Sequence, residues 1–274
     1  MKTLIATTDF TPASFNAVNY AADMACVIGA NLSLFHVCQV PAVISEIPIS
    51  EILTQDQLAT AEAQMSSLEN VMRMRVGERI KVNGKVEFGN VLDEIERYCE
   101  ALDTYAVVMG AKKSGTLERA FFGSNRVAAV RKLHCPVIVV PPNVQFTRIS
   151  KIGLSCDYND VIDTIPTQEI RRLVKELHAD LHILFISKKG HEELKPEASE
   201  GFGLLQEIIA DLHPKYHFIS DDTVENGIIE FADKNYLDLL IIIPKKHHGL
   251  AKIFQHSHTK RLVLHTHIPV MALH

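Results

Sequence analysis

The chain contains no apolar run long enough to cross a bilayer. Leu239–Ile243, among the longest, falls far short of the roughly 18 residues that a spanning helix needs. Its opening, MKTLIATTDF, turns polar after a few apolar residues and lacks a hydrophobic segment of secretory-signal length. The cytoplasm is therefore the expected compartment. Cysteine is scarce and odd in number, five in 274 residues with no C-x-x-C, so a disulfide framework is not expected. Cys135, which precedes Pro136, reads as structural. Cationic excess is absent too. The net charge of -5 gives no basic track for a nucleic-acid backbone. Motifs that announce catalysis are missing: G-x-x-x-x-G-K-[ST], G-x-S-x-G and H-E-x-x-H do not occur.

What is present centres on Tyr105–Val140. An apolar run, Ala106–Met109, meets Gly110. A loop with lysine, serine and glycine follows, then Phe121-Phe122 and Gly123-Ser124-Asn125. Arg126–Leu133 has helical spacing, and Pro136 leads into a second apolar strand, Val137–Val140. The order is strand, glycine loop, helix start, helix, strand. Unpaired N–H groups and the dipole at such a helix start favour an anion.

Upstream of that stretch, Thr3–Ala6 reads as a strand ending in Thr7-Thr8-Asp9. Thr11-Pro12 caps a helix over Ala13–Ile28 that Gly29 stops. Leu32–Val37 is a second strand, and the βαβ unit implies parallel pairing. Residues 38–53 read as a loop. Helix is expected from Gln55 to about Gly77, with Leu58, Met65, Leu68 and Met72 as its packing stripe. Lys81–Phe88 is a third strand interrupted by Asn83-Gly84, and Gly89-Asn90 precedes a helix over Val91–Leu102. Five strands alternate with four helices by residue 140, an open doubly wound sheet, with Pro141-Pro142-Asn143 as terminator and hinge.

The second half repeats the first. TYAVVMG at 104–110 pairs with LDLLIIIP at 237–244, and HCPVIVV at 134–140 pairs with HIPVMAL at 267–273. Ile149–Ser155 corresponds to Leu4–Thr8, and Leu181–Ser187 to Leu32–Cys38. Leu204, Leu205, Ile208 and Ile209 mark a helix in its shorter 188–214 crossover. Repetition at this spacing predicts two copies of one fold, residues 1–143 and 147–274. In the second copy Pro244 replaces Gly110, and no glycine matches Gly123. Asp157 stands where Asp9 stands, but without those glycines the backbone cannot cradle a phosphate.

Asp9-Phe10-Thr11, Leu34–Val37, Met109-Gly110, Gly123-Ser124-Asn125 and Cys135–Val140 together resemble the universal stress protein family in its tandem form, over essentially the whole chain. The family's nucleotide-binding pattern is glycine, two residues, glycine, nine residues, glycine, then serine or threonine. Gly110 and Gly123-Ser124 fill its ends; Lys113 stands at the middle glycine, and Gly115 follows two residues later. The resemblance implies two Rossmann-like, adenine nucleotide alpha hydrolase-like domains, each with a five-stranded parallel sheet, packed about a pseudo-twofold axis through Val137–Val140 and Pro269–Leu273. It implies ATP or AMP at one site in the first domain, with Mg2+ accompanying ATP. Asp9 would take the ribose hydroxyls and Val37 the adenine edge. Met109 and Gly110 would flank ribose and phosphates. Lys113 would face phosphate, Gly115 would let the loop relax, and Gly123, Ser124 and Asn125 would hold phosphate.

The function so implied is a regulatory or protective stress-response binding protein rather than a fast enzyme. Two alternatives stand beside it: an interaction module whose pockets are vestigial, engaging a protein partner, and a weak ATPase. Intramolecular pairing of the domains is expected, and two chains can pair again into a homodimer. His247, His248, His256, His258, His265, His267 and His274 fit no zinc spacing and read as loop and capping residues, so no metal site is assigned.

Overall fold

A computed structural model of the chain describes residues 1–39, 51–111, 122–156, 165–188, 200–244, 261–263 and 266–274. The chain divides into two compact units, Met1–Phe146 and Thr147–His274. In the first, strands β1 (Thr3–Thr7), β2 (Asn31–Cys38), β3 (Val82–Phe88), β4 (Thr104–Gly110) and β5 (Val137–Val140) alternate with helices α1 (Pro12–Ile28), α2 (Glu51–Val76), α3 (Val91–Glu100) and α4 (Phe122–Lys132). The strands run parallel in the order β3-β2-β1-β4-β5. Right-handed crossovers put α1 and α2 on one face. The reversal of direction between β3 and β4 puts α3 and α4 on the other. Contacts of α1 with α2 and of α3 with α4 agree with that placement.

Local chemistry sets most of these boundaries. Thr11 caps α1 by accepting from the Ser14 N–H, Pro12 occupies the first turn, and Gly29 closes the helix at φ 63°. Asn90 caps α3 by accepting from the Leu92 and Asp93 N–H groups. In α2 the stripe Met65, Leu68 and Met72 is buried, extended by Ala61 and Val76, while Leu58 is only half-buried. The helix starts at Glu51, four residues before the expected Gln55.

Three expectations shift. Asn83-Gly84 does not interrupt β3: Gly84 pairs in register with Leu34, and a Cβ there would lie 2.6 Å from Met65 Cγ. Glycine at that position lets α2 lie close on the strand. Helix α4 begins at Phe122 rather than Arg126, so Gly123, Ser124 and Asn125 form its first turn. The proposed hinge at Pro141-Pro142-Asn143 is pinned to α1. Asn16 Nδ2 donates to the carbonyls of Pro141 (3.3 Å) and Val144 (3.0 Å), and Phe146 packs edge-on against Tyr20 at 5.2 Å.

The second unit contains β6 (Lys151–Cys156), α5 (Thr167–Leu177), β7 (Asp180–Lys188), α6 (Glu200–Ile208), β8 (Lys215–Asp221), α7 (Val224–Asn235), β9 (Leu239–Ile242) and β10 (Val270–Ala272). Its parallel order, β8-β7-β6-β9-β10, repeats the first unit's order strand for strand. Ile170, Leu173, Val174 and Leu177 form the buried stripe of α5. Leu205 and Ile209 are buried at α6 as expected, whereas Leu204 and Ile208 are half-buried. Among the described residues, no helix is long and apolar enough to cross a membrane.

A histidine pair lies inside this unit. His182 on β7 and His217 on β8 stack at 5.1 Å with an 8° interplanar angle, and Phe231 of α7 tilts against His217. His182 Nδ1 and His217 Nε2 are 3.0 Å apart, and His182 Nε2 is buried with no hydrogen-bond partner among the described residues. Leaving an N–H there unmatched is costly, so Nδ1–H of His182 donates and Nε2 keeps its lone pair. Burial, then the neighbouring His217 and Lys215, lowers the His182 pKa below 6.5. Burial, then Lys215, lowers that of His217. Asp180, paired with Lys215, and Lys151 complete the charged surroundings.

Both rings therefore favour folding when neutral. Their contribution is complete above about pH 6.5 and is lost as the pH falls from there toward their depressed folded-state values. Urea unfolding at a series of pH values should show this fall, and a His182→Phe, His217→Phe double variant should flatten it. An unchanged pH dependence in the double variant would remove the pair from that account.

Candidate functional site

The crossovers from β1 to β2 and from β3 back to β4 diverge on either side of β1, opening a crevice at the carboxyl ends of the strands. A cleft of about 360 Å³ occupies it. Thr7 at the end of β1 with Thr8 and Asp9 after it, Phe35 to Cys38 on β2 with Gln39 after it, and Met109-Gly110 on β4 line it, with the first turn of α1 and Val91 and Ile95 of α3. Asp9, Val37, Met109 and Gly110 thus come together from three separate strands.

Asp9 sits in a hydroxyl network that starts α1. Its Oδ1 accepts from the Thr11 N–H (3.1 Å) and from Thr11 Oγ1 (2.5 Å). The Asp9 N–H donates to Ser14 Oγ at 3.3 Å, and Ser14 Oγ donates to the Thr11 carbonyl at 2.9 Å. With that proton committed, Thr8 Oγ1 is the donor across the 3.1 Å contact to Ser14 Oγ. Thr8 Oγ1 in turn accepts the Phe10 N–H at 3.0 Å. The carboxylate is fixed in place by its own turn, and an ionised carboxylate has about four acceptor sites.

The same turn carries strain. Phe10 has φ 58°, a left-handed conformation that costs a non-glycine residue about 1–2 kcal/mol. Its ring lies 4.6 Å from the His36 imidazole, and His36 Nδ1–H donates to the Thr8 carbonyl at 2.7 Å. The link after β1 is thereby tied to the end of β2.

Gly110 has a packing duty that sequence reasoning did not assign. A Cβ there would stand 2.3 Å from the Ala13 carbonyl oxygen and 2.8 Å from its carbon. The start of α1 rests directly on the end of β4, and only glycine leaves room.

Lys113 and Gly115 lie outside the described residues, as do Asp157 and His247, His248, His256, His258 and His265. Gly123, Ser124 and Asn125 supply backbone N–H groups in the first turn of α4. Sequence reading missed Thr8, Ser14, Phe35 and His36 as lining residues. Thr8 and Ser14 flank the Asp9-to-Thr11 segment, and Phe35-His36 directly precedes Val37, so proximity to the motif residues was the available signal.

Residues 1–141 match the universal stress protein family. A universal stress protein of Methanocaldococcus jannaschii is 27% identical over 145 residues, which cover 51% of this chain and 81% of that protein. Among solved structures, a universal stress protein from Archaeoglobus fulgidus has a TM-score of 0.74 at 16% identity, covering 99% of this chain and 97% of that one. A protein of unknown function from Pseudomonas aeruginosa has a TM-score of 0.60 at 12% identity, covering 99% and 92%. At such identities the two structures speak for the fold alone. The match over residues 1–141, more than half of the 274, makes this chain a member of the universal stress protein family.

Proposed function

We propose that the first unit binds one adenine nucleotide, ATP or AMP, and that the protein serves as a regulatory or protective stress-response binding protein rather than a fast enzyme. The observation that carries this reading is the convergence of Asp9, Val37, Met109 and Gly110 on one cleft at the point where the strand order reverses. A volume of about 360 Å³ lies within the range of small-molecule sites. In this reading Asp9 accepts from the ribose hydroxyls, with its orientation already fixed by Thr11 and Ser14. The backbone at Val37 meets the adenine edge. The N–H groups of Gly123, Ser124 and Asn125, together with the positive end of α4, face the phosphates. Lys113 and Gly115 belong to the phosphate loop, and Mg2+ would accompany ATP.

Calorimetry with ATP and with AMP tests this directly. The Asp9→Asn variant keeps an Oδ1 acceptor for Thr11 and removes the charge. It should bind about tenfold or more weakly, the effect of losing a charge-assisted hydrogen bond. Gly123→Val, which places a branched side chain in the first turn of α4, should weaken binding further. Equal affinities in wild type and both variants, or no binding by the wild type, would defeat the assignment.

A further inference from the structure

At the opposite end of the first unit's sheet two thiols touch. Cys99 lies in the last turn of α3, and Cys135 lies in the link between α4 and β5, directly before Pro136. Their sulfur atoms are 2.8 Å apart and unbonded, and all five cysteines of the chain are free. A disulfide brings its sulfurs to about 2.03–2.05 Å, so bond formation needs a closure of about 0.8 Å. Cys99 is buried, at 7% exposure, whereas Cys135 is half-buried and reachable from solvent.

The contact does not depend on the thiols for its geometry. Glu96, one turn before Cys99, accepts the His134 N–H at 3.2 Å, and His134 Nδ1 stands 2.5 Å from Glu96 Oε1. Thr104 Oγ1 donates to the Cys99 carbonyl at 3.0 Å, which holds the end of α3 to the start of β4. Backbone and carboxylate contacts thus place both sulfurs before any oxidation.

We propose that Cys99 and Cys135 form a redox-active dithiol, oxidised to an intramolecular disulfide by a low-molecular-weight disulfide. The Cys135 thiolate attacks one sulfur of the reagent. The reagent's S–S bond breaks, one thiolate leaves, and Cys135 carries a mixed disulfide. Cys99 then gives up its proton and attacks the Cys135 sulfur, expelling the second reagent thiol. Two protein thiols become one disulfide while the reagent's disulfide becomes two thiols, a transfer of two electrons and two protons. The hydrogen bond to Cys135 and then burial raise the Cys99 pKa, which keeps Cys99 protonated and leaves the half-buried Cys135 to begin; that hydrogen bond is lost once Cys135 carries the mixed disulfide. The site is separate from the cleft, since α3 turns its other end toward the nucleotide crevice.

Full-length reduced protein incubated natively with oxidised glutathione should lose two of its five thiols by titration. Its mass should fall by two hydrogens, and one peptide cross-link, Cys99 to Cys135, should appear and vanish with dithiothreitol. Cys99→Ser should stop at a stable glutathione adduct on Cys135. Five titratable thiols after incubation, or a cross-link involving Cys26, Cys38 or Cys156 in its place, would overturn the proposal. The wild-type cross-link map decides the matter even where a serine variant does not fold.

Discussion

Replacing Gly110 by alanine should destabilise the first unit by about 3 kcal/mol, the upper range for forcing one extra carbon into a filled site. The added Cβ meets backbone, the Ala13 carbonyl at 2.3 Å, and not the movable end of a side chain. Relief requires lifting the start of α1 off β4. Urea unfolding should show the transition of this unit shifted down by about 1 M or more, with an unchanged slope. An unshifted midpoint would mean that the helix start is not seated on Gly110. Because Thr11 and Ser14 of that start hold Asp9 in place, the variant should also lose ligand affinity without Gly110 touching ligand. Loss of binding in a Gly110 variant is therefore poor support for contact there, and Asp9→Asn is the cleaner probe.

The second large effect is expected at Phe185. It is fully buried on β7, stacked on Phe218 at 5.5 Å and 10° and set against Phe202 at 5.7 Å. Phe202 extends the cluster to Tyr216 at 5.2 Å. Phe185→Ala removes the ring that joins β7 to both α6 and β8, and should cost about 3–5 kcal/mol. Phe218 is 46% exposed, so Phe218→Ala should cost only about 1 kcal/mol. Thermal or urea unfolding of the two variants side by side checks the contrast. Equal losses would show that burial does not set the cost in this cluster.

Much of the fold was legible because its signals are local. Thr11-Pro12 and Gly29 mark both ends of α1, and the apolar runs of β1, β2, β4 and β5 stand between polar or glycine punctuation. Strand β8 and helix α7 were not read. Along β8 every residue is exposed or half-buried, so no apolar alternation shows. Gly227 hides the periodicity of α7, and a Cβ there would come within 3.3 Å of Ile186 and Ile219, where the helix crosses β7 and β8. Glycine 84 misled in the same way. Gly84 was read as a break and Gly227 was not read, although each marks a close approach of helix to strand, which a single sequence does not reveal.

The start of α4 was placed late because first-turn residues such as Gly123 and Ser124 carry no apolar period. The candidate site was legible as far as its motif residues. Its supporting hydroxyls were not, because Thr8 and Ser14 act through contacts that form only once the turn around Phe10 has closed.

One pairing of features reaches beyond this site. In the first unit four residues, Thr8 to Thr11, join β1 to α1, and Gly110 faces the helix start. In the second unit, Pro244 stands just after β9. The short link of the first unit pulls the helix onto the neighbouring strand's end and admits only glycine there. Within the first unit, the four-residue link and Gly110 are therefore coupled. A side chain at residue 110 should therefore be tolerated better in a chain whose link from β1 to α1 is lengthened than in the chain as it stands.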